Sequence, residues 1–430
     1  MADDDLLVRT SDLLLGVATA SLQIEGGDRN NNWYDWAQLP GAVADGSTPL
    51  RATDHWNRWR EDTALMADLG LQTYRMSVEW SRIEPRPGEV DRAALERYRE
   101  ELAAVRAAGI LPLVTLHHFS HPSWFSGLGG WTSAHSPDLF LRFAQVVVEA
   151  LADVVTDWVT INEPNVYAVQ AHLYDEAPPA RRSWAAVRST LRHMATAHCR
   201  AYHLIHQLQA DARVGFAHHA RVFAPLDRRN PLHRAASVLD RALFQDLLAD
   251  AMLGGRFPRL LGRQPADVVP GRHYDYLGLN YYSRSAVRGL ADGTFPGAPV
   301  NDLGWEVYPQ GLVEVARGLH TRHPGPIWVT ENGTADAADA FRARFVHEHL
   351  RAMAGSGLPF ERYHHWCFVD NWEWAQGEVP RFGIVELDYE TQERTVRDSG
   401  RFLAAVIRDG GVTRATYEQF VADQAYPVGP

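Results

Sequence analysis

Short apolar, β-branched runs recur along the chain, each followed by a stretch with helical periodicity, and this alternation constrains the fold more than any other feature. The runs cover residues 13–18, 73–78, 111–116, 158–161, 214–217, 276–279, 327–330 and 366–369. Between them, residues 91–108 and 137–152 place Ala, Leu and Val three and four apart, the period of an amphipathic helix. Eight strands alternating with helices in 430 residues predict an α/β protein, a single (β/α)8 TIM barrel rather than an open doubly wound sheet. No Gly-x-Gly-x-x-Gly turn follows the first run, which argues against a dinucleotide fold. With no Ser/Gly linker, short repeat or charge block, residues 1–430 are expected to form one barrel domain.

Functional residues of such a barrel gather where its strands end. Those ends carry Gln23 with Glu25, Arg75, His117 and His118, Asn162 and Glu163, His218 and His219, Asn280 with Tyr281 and Tyr282, Glu331, and Trp366. Two of the runs share a form. Ile327-Trp328-Val329-Thr330-Glu331-Asn332-Gly333 and Trp158-Val159-Thr160-Ile161-Asn162-Glu163-Pro164 each pass from apolar residues to an acid and then a breaker. Either Glu alone could be an ordinary surface acid. Together they suggest paired carboxylates in one site, the minimum equipment for glycosidic bond cleavage. The 14 Trp supply flat apolar faces of the kind a sugar ring lies on.

Charge and composition exclude several classes. A net charge of −11 argues against nucleic acid or an anionic membrane as partner. Residues 13–20 are too short to span a bilayer. The start Met-Ala-Asp-Asp-Asp has neither a basic nor a long apolar segment, so no signal peptide is expected. Cys199 and Cys367 form no disulfide framework and suit a reducing cytoplasm. The chain contains no Lys, which removes Schiff-base aldolases, pyridoxal-phosphate enzymes and P-loop nucleotidases. His117, His118 and His121 cluster, with His218-His219 and His364-His365 elsewhere. The first strand, however, carries no His and no Lys exists to bridge metals, so no metal and no cofactor are expected.

From about Leu14 to Phe402 the chain resembles the retaining β-glycosidases of glycoside hydrolase family 1. The landmarks are residues 16–26, Gly-Val-Ala-Thr-Ala-Ser-Leu-Gln-Ile-Glu-Gly, and residues 74–83, Tyr-Arg-Met-Ser-Val-Glu-Trp-Ser-Arg-Ile. Thr160-Ile161-Asn162-Glu163-Pro164, Thr330-Glu331-Asn332-Gly333, Asp370-Asn371-Trp372-Glu373-Trp374-Ala375 and Arg381-Phe382-Gly383 complete them. Each motif alone is weak; six in order at the right intervals are specific. The resemblance implies Glu331 as nucleophile and Glu163 as acid/base, with carboxyl groups roughly 5–5.5 Å apart. It sets Arg75 and the Tyr282 hydroxyl beside Glu331, where they would keep it ionised. Glu163 has no cation near it in sequence, and a negative Glu331 would raise its pKa.

For the sugar, the resemblance implies polar contacts from Gln23, His118, Asn162 and Glu373, with Asn162 on the 2-hydroxyl and Asn280 in support. Trp366 would be the platform under the ring, and Trp374 would bring an indole N–H near Glu373. The expected partner is a small β-glycoside or oligosaccharide, of gluco, galacto or fuco type. A preference for β-galactosides or β-mannosides, or a sugar-binding barrel without catalysis, are the alternatives. Relatives that cleave 6-phospho-glycosides replace the acid equivalent to Glu373 and add a Lys, so an unphosphorylated glycone is expected here. Two departures stand out: Phe119 follows His118 where many relatives have Trp, and Pro178-Pro179-Ala180 replaces Pro-Pro-Gly. Aglycone identity and oligomeric state have no readable code.

Overall fold

The computed structural model describes residues 6–429, so the opening segment on which the signal-peptide expectation rests lies outside the described residues. Eight parallel strands close into a barrel: β1 (Leu14–Ala18), β2 (Thr73–Ser77), β3 (Leu111–His117), β4 (Asp157–Asn162), β5 (Arg213–His219), β6 (Leu277–Asn280), β7 (Ile327–Asn332) and β8 (Phe360–Trp366). Each pairs with its neighbour in sequence, and β8 returns to β1 through Arg362–Leu14 to Trp366–Ala18. The (β/α)8 barrel expected from the sequence is the fold observed. Strands covered on both faces need no polar alternation, which is why seven of the eight read as apolar runs.

The eighth strand corrects the sequence reading. It spans Phe360–Trp366, not 366–369, and Trp366 is its last residue. Its middle, Glu361-Arg362-Tyr363-His364-His365, is too polar to look like a buried strand. Partners from other strands make the burial possible. Arg362 pairs with Asp157 of β4 and lies 3.8 Å over the Trp328 ring. His364 contacts the Thr73 hydroxyl at 3.1 Å and donates from Nδ1 to the Val329 carbonyl at 2.8 Å.

The barrel interior is a packed floor. Leu113, Val159, Ala217, Tyr276 and Trp328 cluster there, with the Tyr276 and Trp328 rings stacked at 3.6 Å. Outside, helices bury one stripe each. The helix Ser136–Leu151 turns Phe140, Phe143, Ala144, Val147, Val148 and Leu151 inward at the expected spacing. The helix Arg92–Ala107 starts where Asp91 accepts hydrogen bonds from the Ala93 and Ala94 N–H groups. Leu6–Arg9 pairs antiparallel with Gly411–Thr413, tying the two ends of the described chain together. Above this floor the C-terminal strand ends form the rim.

Candidate active site

The rim brings together every residue that the resemblance assigned to the site. Glu331, near the end of β7, is buried, and both its oxygens are held. Arg75 of β2 contacts Oε1, and the Tyr282 hydroxyl donates to Oε2 at 2.7 Å. Arg75 is itself fixed by the Thr115 hydroxyl at 3.1 Å and by the Thr330 carbonyl at 3.0 Å. Its other terminal nitrogen donates to Asn162 Oδ1 at 2.7 Å. Gly333 just beyond is needed for close approach, since a Cβ there would fall 1.9 Å from the Trp366 carbonyl oxygen.

Glu163 follows β4 with φ 41°, a left-handed conformation uncommon for a residue with a side chain. Its N–H donates to the Ala217 carbonyl at 2.8 Å, and Pro164 then starts a helix. Two donors converge on its Oε1: Asn280 Nδ2 at 2.8 Å and His219 Nδ1 at 2.9 Å. Asn280 also donates to Asn162 Oδ1 at 3.1 Å and accepts from Thr330 at 2.6 Å. The two acids are therefore linked by one continuous path, Glu331–Arg75–Asn162–Asn280–Glu163. Both polar side-chain atoms of Asn280 are engaged, Nδ2 in this path and Oδ1 with Thr330, so it acts as a strut between strands.

Electrostatics in the site differ from the sequence expectation. Burial lifts the Glu331 carboxyl to about 7; Arg75 opposes the rise, the charge of Glu163 adds to it, and the Tyr282 hydrogen bond opposes it. Burial also acts to raise Glu163. It is outweighed by the attraction of His219, by the His219 and Asn280 hydrogen bonds and by Arg75, so this carboxyl falls below its ordinary value. The expectation that Glu163 is raised is thus corrected: the imidazole of His219, 56 residues on in sequence, lies against it. The sequence places His219 at a strand end without indicating a role for it. Adjacent His residues on a strand face opposite sides, and nothing local shows which one turns inward.

Around the pair lies a set of polar and aromatic groups. Asn162 Nδ2 donates to His118 Nε2 at 3.0 Å, which leaves the ring proton on His118 Nδ1. Burial first, then Arg75 and His117, hold the His118 ring well below its ordinary pKa, so it is neutral. Gln23 donates from Nε2 to Asn371 Oδ1 and to the Trp372 carbonyl, both at 2.9 Å, and to Glu373 at 3.2 Å. Gln23 Oε1 and His118 Nδ1 are buried polar atoms without a partner among the described residues. Glu373 is raised to about 8 by burial, against hydrogen bonds from Trp366 and Gln23.

The indole N–H that donates to Glu373 is that of Trp366, at 3.1 Å. Trp374 belongs to an aromatic wall with Trp33, Phe119 and His118, its ring centroid 4.7, 5.2 and 6.1 Å from theirs. Residues at other strand ends face elsewhere. Glu25 pairs with Arg82 at 2.7 Å and accepts from Tyr98 at 2.6 Å, and Tyr281 donates to the Tyr308 carbonyl at 2.7 Å. His117 accepts from the Trp131 indole at 3.0 Å, and His121 contacts the Ser126 hydroxyl at 3.0 Å. At the second departure, Ala180 takes φ 53°, a value that Gly would adopt without strain.

A closed (β/α)8 barrel whose rim buries two linked carboxylates among polar and aromatic side chains defines a barrel glycoside hydrolase. Comparison with known proteins is specific. Residues 9–412 match the family described as glycosyl hydrolase family 1. The 1,4-beta-D-glucan glucohydrolase of Thermotoga neapolitana is 31% identical, over 93% of this chain and 98% of that protein. The beta-glucosidase from Thermotoga maritima in complex with glucoimidazole superposes with a TM-score of 0.88 at 29% identity, covering 94% of this chain and 99% of that one. The same enzyme with galacto-hydroximolactam gives 0.87 at 30% identity, covering 93% and 98%. The chain belongs to glycosyl hydrolase family 1.

Proposed function

We propose that the chain, as one catalytic domain over residues 1–430, is a retaining β-glucosidase acting on terminal β-D-glycosyl residues of small glycosides or oligosaccharides. The observation that carries this reading is that Arg75 and Tyr282 hold both oxygens of Glu331 on the hydrogen-bonded path that also holds Glu163. Glu331 is the nucleophile: its carboxylate forms a bond to the anomeric carbon as the bond to the aglycone oxygen breaks. Glu163 is the acid, and its proton goes to that departing oxygen. In the second step Glu163 takes a proton from water, the water oxygen bonds to the anomeric carbon, and Glu331 is released. Both groups are side chains, and the reaction needs no cofactor.

Two buried acids that feel each other's charge in one network titrate as a pair. Protonating Glu163 removes the repulsion that helps lift Glu331, so Arg75 then faces a full carboxylate. That distribution is the one the first step needs. Glucose released from an aryl β-glucoside is expected to appear first as the β anomer, followed by proton NMR before mutarotation. The α anomer appearing first would overturn the retaining assignment.

Gln23 Oε1 and the Nδ1–H of His118 are the open acceptor and donor for glycone hydroxyls, with Asn162 at the 2-hydroxyl and Trp366 beneath the ring. Glu373, beside both Gln23 and Trp366, offers its carboxyl to hydroxyls and supplies no cation for a phosphate. Phe119 packs on Trp374 and has no N–H to offer, so discrimination at one carbon is reduced. The Thermotoga maritima relative has been seen with both a gluco- and a galacto-configured ligand, in keeping with this tolerance. Phe119→Trp is expected to sharpen the ratio of kcat/KM between p-nitrophenyl β-D-glucoside and the β-D-galactoside and β-D-fucoside several-fold. The 6-phospho-glucoside should remain the poorest of the four. An unchanged ratio rejects the tolerance, and 6-phospho turnover matching the plain glucoside rejects the glycone assignment.

A further inference from the structure

His219 donates to Glu163 yet has no part in the function above, and its geometry is defined at both ring nitrogens. Nδ1 lies 2.9 Å from Glu163 Oε1, and Nε2 lies 3.4 Å from Arg221 Nη2. Arginine has only donors, so Nε2 must be the accepting nitrogen and the ring proton sits on Nδ1, aimed at the carboxyl. The ring is held parallel to Tyr282 with centroids 6.0 Å apart, and Phe244 meets it edge-on at 5.8 Å. The second donor to the same oxygen is Asn280. Two N–H donors occupy both lone pairs of Oε1, so a proton on this carboxyl belongs on Oε2.

We propose that His219 is a positioning residue for the acid/base: it saturates Oε1 of Glu163, so that the transferable proton is confined to Oε2 and the carboxylate left after delivery is stabilised. The inference rests on the assignment of Glu163 as acid/base. The charged or titratable groups facing this carboxyl are Arg75 from β2, Glu331 from β7, Tyr282 beyond β6, and His219 with Arg221 from the end of β5. A donor to the ionised form lowers a carboxyl pKa, so removing it raises the pKa at which the acid is lost.

The test is the basic limb of the kcat/KM profile for cellobiose, whose leaving group needs the acid. His219→Phe should move that limb up by about one pH unit, with His219→Ala as a second variant should the first fail to fold. Conservative His219→Asn, whose amide nitrogen can stand where Nδ1 stands, should return the limb to within a few tenths of the parent. A stationary limb in the Phe and Ala variants, or an equal shift in all three, overturns the inference. Glu163→Ala run in parallel separates the two failures. If that variant keeps full activity on cellobiose, the acid/base assignment falls; if it loses activity while the His219 limbs stay put, only the role of His219 falls.

Discussion

Glu331→Gly loses about 10⁴-fold or more in kcat for every glycoside, good leaving group or poor, because no covalent intermediate can form. Arg75 and Tyr282 remain around the vacated space, as a cation and a hydroxyl donor that accept an anion. Azide entering there attacks the anomeric carbon from the face Glu331 used, while Glu163 still protonates the leaving oxygen. The product of a β-glucoside is therefore the α-glucosyl azide. Rescue by azide with inverted configuration, identified by NMR, fixes Glu331 as the nucleophile. A variant that retains a tenth of the parental rate, or yields the β-azide, refutes it. The same measurement excludes a barrel that only binds sugar, since such a protein has no rate to lose.

Why that carboxylate could be picked from sequence follows from where it sits. β7 is covered on both faces, so an acid ending its apolar run stands out, and the same holds for Glu163 after β4. Resemblance supplied Arg75, Tyr282, Gln23, Asn162 and Glu373, and the structure gathers them at one rim. What remained illegible depends on partners distant in the chain. β8 was misplaced because its polar residues are satisfied from β2, β4 and β7, by Thr73, Asp157 and the Val329 carbonyl. The Trp366 indole contact with Glu373 is not legible because it depends on how the loop after β8 folds back toward Gln23. Periodicity reports which face is buried and says nothing of which donor meets which acceptor. That limit explains the missed contact between His219 and Glu163 as well.

Glu163→Ala produces a loss that depends on the leaving group, and this dependence distinguishes an acid from a nucleophile. General acid catalysis contributes about 10²- to 10⁴-fold where the leaving oxygen is strongly basic. Hydrolysis of cellobiose or an alkyl glucoside should therefore fall by roughly that factor. A 2,4-dinitrophenyl glucoside leaves without a proton, so its kcat/KM should change little. Its kcat nevertheless falls, because water attacking the glycosyl-enzyme has lost its base; the intermediate accumulates and KM drops with kcat. Azide needs no base and restores turnover, now attacking an intermediate on Glu331, so the product is the β-glucosyl azide. Alanine keeps a Cβ at φ 41°, the same backbone demand as the parent, so the variant isolates the carboxyl itself. Opposite azide configurations from the two variants require two acids on opposite faces of one sugar ring. A loss of equal size for cellobiose and the dinitrophenyl glucoside would show instead that Glu163 serves the fold or substrate binding, with the proton coming from elsewhere.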